Sequence, residues 1–156
     1  MAHPPHPPER AFAVEWREGF CIGIDQLDRE HRHLFSLVMM LNLGTVEHTV
    51  EQLLDYVVTH FSNEQEAMER SGYPAFEAHL KQHEAFASQI ADFLMSGDGW
   101  TDERVQDLRR FLNKWLISHI MTHDMRFGKW FAAHNRPAPD TDPSPGRTGL
   151  VGRLFG

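Results

Sequence analysis

Histidine is the residue type that stands out, with 11 copies in 156 residues, nearly as many as the 15 lysines and arginines together. His60 and Glu64 are four apart, and so are His79 and His83. On a helix, an i, i+4 pair stacks on one face and can converge on one ion or on two neighbouring ones. His31 and His119 stand singly before and after these pairs. A lone histidine on an apolar face is ordinarily a core residue with one hydrogen bond satisfied. Taken together, these side chains argue otherwise. Burying an imidazole or a carboxylate without a partner costs about 1–3 kcal/mol by mutational measures, and more for a charge. Five imidazoles and a carboxylate in one seam would consume the roughly 5–15 kcal/mol of net stability that a domain possesses. A metal is the simplest compensation. Imidazole with carboxylate and no thiolate suits iron, zinc, copper or nickel, and disfavours magnesium and calcium.

Helical periodicity explains how such donors come to face one another. Ile24, Leu27, His31, Leu34, Val38 and Leu41 alternate steps of three and four. Val50, Leu53, Val57, His60 and Glu64 do the same, as do Phe76, His79, His83, Phe86, Ile90 and Phe93, and then Val105, Leu108, Leu112, Trp115 and His119. Each set forms one stripe of a helix. Ser71-Gly72 ends the second stretch, Pro74 suits the first turn of the third, and Ser96-Gly97-Asp98-Gly99 closes it. Thr101, followed by Asp102 and Glu103, caps the fourth, which Asn135 and Pro137 stop. The expected fold is all-α, an antiparallel up-down-up-down four-helix bundle in which every helix points ligands into one cavity.

The remaining composition narrows the classes. A chain of this length holds one domain. Its formal charge of −7 argues against nucleic acid or an anionic membrane surface as the main partner. No apolar run approaches the ~18 residues of a membrane span. A single cysteine, Cys21, forms no intrachain disulfide and no thiolate zinc site, and together with the lack of an export signal it favours a reducing cytoplasm. Residues 1–12, with His3 and His6 among prolines, read as an extended arm; 13–134 form the bundle. Residues 135–156 read as a Pro/Gly-rich tail. Its apolar end, with Leu150, Val151, Leu154 and Phe155, is disordered or docks on a protein partner.

Three strings carry a more specific signal: IGIDQLDREHRHLF, THFSNEQEAMERSGYPAFEAHLKQHEAF and WLISHIMTHD. Their HF-x-x-E, YP-x-x-x-x-H-x-x-x-H and HI-x-x-x-D pieces resemble, in combination, the hemerythrin domain of the bacterial kind, from about Trp16 to Phe131. The resemblance implies a non-haem di-iron centre that binds O2 reversibly. Its ligands map onto His31, His60, Glu64, His79, His83, His119 and Asp124, with Glu64 and Asp124 bridging the two irons. Spacing alone would choose His123, four residues after His119; Asp124 is five on, about 140° round an ideal helix. The family pattern favours Asp124, which an offset position or a local widening of the helix accommodates. Two features depart from that pattern. The interval from His31 to His60 is about two helical turns shorter than in bacterial members, and Glu30 stands where Gln is usual.

By this resemblance, two six-coordinate irons offer about twelve positions, and five imidazoles, two bridging carboxylates and a bridging oxo or hydroxo group fill all but one. The vacancy suits O2. Leu34, Phe61, Trp115, Leu116 and Ile120 are expected to form an apolar wall that excludes water. Five imidazoles against two carboxylates favour a carrier over an oxygenase, because anionic donors are what stabilise high-valent iron. The function expected is therefore reversible O2 binding without catalysis, for storage, delivery or sensing. The alternatives are a di-iron enzyme acting on peroxide or nitric oxide, and an iron or redox sensor.

Overall fold

The computed structural model describes residues 15–135; the N-terminal arm and the apolar end of the tail, with its docking alternative, lie outside the described residues. After a 3-10 turn at Glu18–Phe20 come α1 (Asp25–Met39), α2 (Val46–Ser71), α3 (Phe76–Met95) and α4 (Asp102–His119). A π-helical turn, Ile120–Asp124, then joins α4 to α5 (Met125–His134) without a break. The described residues form no strand. α1 packs on α2 and α4, and α3 packs on the same two, the cyclic order of an up-down-up-down bundle. Among the described residues no helix is long and apolar enough to cross a membrane.

Local chemistry sets the boundaries. Gly72 ends α2 with φ of 75°, a left-handed conformation that glycine adopts without a Cβ penalty. Its successor Tyr73 donates its amide to the Met68 carbonyl at 2.9 Å, as a Schellman-type cap requires. The Thr101 hydroxyl accepts the Arg104 amide at 3.1 Å and starts α4. Pro74 departs slightly from expectation: it lies in the turn before α3, not in the first helical turn.

The apolar stripes meet in one continuous core, with Leu27, Phe35, Met68, Phe86, Leu108, Leu112 and Phe127 almost wholly buried. At about 1.5–3 kcal/mol for each large apolar side chain, burial here supplies the driving force that a polar seam cannot. Trp16 closes one end of the bundle, edge-on to Phe20 and Phe35 with centroids 5.6 and 5.8 Å away. The leading segment is fastened by Asp28, whose carboxylate accepts the amides of Ile22 at 2.7 Å and Gly23 at 3.2 Å. It lies against α5 at Gly128, where even a Cβ atom would collide with the Ile22 carbonyl.

Candidate metal centre

Every helix of the bundle delivers a polar side chain to the middle of the core. α1 supplies His31; α2 supplies His60 and Glu64; α3 supplies His79 and His83; α4 ends on His119; and the π-helical turn contributes Asp124. All of them are buried, none more than 4% exposed. The donor atoms fall into two groups, each with its members within 4.8 Å of one another. One holds His79, His83 and His119, the other His31 and His60, and both include Glu64 and Asp124.

Each carboxylate divides its oxygens between the groups. Glu64 Oε1 lies 2.5 Å from His79 Nε2 and 3.3 Å from His83 Nε2, while Oε2 lies 3.2 Å from His60 Nε2 and 3.5 Å from His31 Nε2. Asp124 Oδ1 is 3.0 Å from His79 Nε2 and 3.1 Å from His119 Nε2, while Oδ2 is 3.0 Å from His31 Nε2. The Nε2 atom of His119 sits 3.1 Å from that of His79 and 3.2 Å from that of His83. Donors about 2.1 Å from one ion and at right angles are about 3 Å apart, which is the spacing seen here. Several of these atoms also converge without being satisfied. His31 Nε2, Glu64 Oε2 and both Asp124 oxygens lie within ion-pair distance of neighbours, yet none makes a hydrogen bond of acceptable geometry. Buried lone pairs aimed at a shared point call for a cation. The residues present therefore fit a metal pair.

Without metal, protons take that place. Burial opposes a charge on His31, but Asp124 and Glu64 outweigh it and raise its pKa to about 10. The same two carboxylates raise His79 to about 9 and lift His119, while Glu30 and Glu64 overcome burial to lift His60. Burial lowers His83, and the opposing pull of Glu64 does not offset it. The carboxyls of Glu64 and Asp124 are held well below the ordinary range: burial resists, and for Asp124 the charge of Glu64 as well, but the surrounding imidazoles prevail.

Asp124 enters the cluster because the helix widens at that point. In an α-helix the fifth residue on would point away from His119, whereas π-type i→i+5 bonding brings positions 119 and 124 into line. His123, the choice of regular spacing, is half-buried beside His119 and His79 with ring centroids 5.4 and 6.1 Å away, and belongs to neither donor group. His33 is exposed against Tyr56.

Of the expected wall, Phe61 lies flat on His83 at 3.8 Å between centroids, and Trp115 lies flat on His119 at 4.4 Å. Leu34, Leu116 and Ile120 are buried members of the same core. The residues behind the imidazoles were not singled out by spacing. Glu30 Oε1 accepts His60 Nδ1 at 2.8 Å, while its Oε2 accepts Asn63 at 2.8 Å and Gln26 at 3.2 Å. Burial works against the Glu30 charge, but these donors hold its carboxyl below the usual value. Gln65 Nε2 is 3.0 Å from His83 Nδ1. A signal for Glu30 did exist: it shares the buried stripe of Leu27 and Leu34, where a carboxylate needs a partner.

The family model described as Hemerythrin HHE cation binding domain matches residues 22–131. A bacteriohemerythrin of Stenotrophomonas maltophilia is 30% identical over 152 residues, covering 90% of this chain and 97% of that one. A bacteriohemerythrin of Methylococcus capsulatus is 31% identical, covering 73% of this chain and 92% of its own length. A solved structure of wild-type hemerythrin superposes with a TM-score of 0.66 at 28% identity, over 74% of this chain and 95% of that chain. With residues 22–131 matched and its donors gathered in one buried cluster, the chain belongs to the hemerythrin family.

Proposed function

We propose that the chain binds O2 reversibly at two iron ions bridged by an oxo or hydroxo group, and that it is a carrier or sensor, not an enzyme. The observation that carries this reading is the unequal division of donors: three imidazoles on one side, two on the other, both carboxylates shared. Equal coordination demands on the two sides leave the His31–His60 side one ligand short, room for a small molecule. Iron would supply the reversible one-electron chemistry that O2 binding needs. The protein would do the rest. Glu64 and Asp124 hold the pair together, and Phe61 and Trp115 press on two of the imidazoles and fix their planes. Leu34, Leu116 and Ile120 keep the surroundings dry, so that protons that would drive irreversible oxidation are excluded. A reducing cytoplasm suits both the thiol of Cys21 and a ferrous resting state.

The test is iron analysis with a visible spectrum through cycles of air and argon. Two irons per chain and a coloured form that bleaches and returns support the proposal. Irreversible conversion to a ferric form with turnover of peroxide or nitric oxide would establish the enzyme reading instead. A colourless chain whose fold and partner binding follow iron occupancy would establish an iron or redox sensor instead.

A further inference from the structure

The two halves of the centre differ behind the ligands as well as in their number. On the three-histidine side, the outer nitrogen of His83 meets the neutral amide of Gln65 at 3.0 Å. On the two-histidine side, the outer nitrogen of His60 meets a carboxylate, Glu30, at 2.8 Å. That carboxylate does not swing freely, since Asn63 and Gln26 both donate to its other oxygen and its residue is 8% exposed. An acceptor-only group held by three donors can take only the proton of His60, so the His60 Nδ1 must carry it. The Nε2 lone pair is thereby committed to the side of Glu64 Oε2, 3.2 Å away. Two acceptors facing each other at that distance need a cation between them.

We propose that Glu30 is a positioning residue for the two-histidine half of the centre: it locks the tautomer of His60 and, through that hydrogen bond, strengthens the opposite nitrogen as a metal donor. This rests on reading the cluster as a two-metal site. The logic is one of compensation. The subsite with fewer imidazoles receives an anionic partner behind one of them, and the richer subsite makes do with an amide. A carboxylate behind a ligating histidine makes the imidazole a better base without adding a ligand, which leaves the coordination position of that subsite open.

Stepwise uptake of ferrous iron by the metal-free full-length chain tests this, measured anaerobically in competition with a colorimetric chelator. The wild-type chain should take up iron in two steps, the weaker belonging to the two-histidine side. Glu30→Gln keeps the size while removing the charge and turning one acceptor into a donor, and should weaken the second step about 10- to 100-fold with the first step unmoved. Asn63→Ala leaves Glu30 in place but loosens it, and should weaken the same step by a smaller factor. The difference between the two steps is the readout that a merely structural role would not move, since a general loss of stability weakens both alike. A two-step wild-type titration that Glu30→Gln leaves unchanged, or weakens equally in both steps, overturns the proposal and spares the two-metal reading. Uptake of fewer than two ions by the wild-type chain overturns the two-metal reading itself.

Discussion

At the scale of single residues, the choice between Asp124 and His123 is the sharpest question that the site poses. Asp124 has both oxygens inside the cluster and no exposure, whereas His123 stands outside both donor groups. Asp124→Asn should therefore cost the chain iron and its visible bands, and His123→Ala should leave both near wild type. Iron analysis of the two purified variants decides it. The other donors were legible in the sequence, because a stripe that repeats every three to four residues fixes which side chains share a face. Spacing failed at Asp124 since it presumes an unbroken α-helix. It also missed the hydrogen bond from His60 to Glu30, which depends on side-chain rotamers and on which nitrogen of a ring turns outward. Periodicity speaks to neither.

At the scale of elements, Gly128 and the segment it receives offer a clean test. Alanine is favoured over glycine in a helix by about 1 kcal/mol, so Gly128→Ala would gain if the site were open. It is not open. The added methyl meets the Ile22 carbonyl and Cβ, and Asp28 anchors the amides on either side of that carbonyl, so the backbone yields only at a cost. Overpacking of this kind costs about 1–3 kcal/mol, which outweighs the propensity term. A lowered Tm for Gly128→Ala is the expected outcome. The helices themselves were readable from stripes, caps and turn residues, down to Gly72 and Thr101. The close approach at Gly128 was not, because it joins residues 22 and 128, which no local pattern connects.

For the molecule as a whole, protons and metal compete for the same buried seam. His31 and His79, raised to about 10 and about 9 from an ordinary 6.5, stabilise the metal-free fold fully below 6.5. That contribution disappears as pH rises through the two folded values, so the Tm of the metal-free chain should fall progressively above 6.5. Iron should cancel the alkaline loss and replace it with an acid one, since ligands must release their protons to bind metal. Melting curves of both forms across this interval would show the slopes exchanging sign. Removing iron by a chelator near neutrality should lower the Tm, because a ligand bound only by the folded state stabilises it by mass action.

The wide turn at residues 120–124 reaches beyond the carboxylate it aims. Each residue inserted into a helical rod rotates everything downstream by about 100°. The setting that turns Asp124 inward also turns Phe127 into the core and Gly128 onto Ile22. The clasp on the segment before α1 and the carboxylate shared by the two donor groups thus keep a single torsional register, like two cogs keyed to one shaft. Any rewinding of that turn must unseat both.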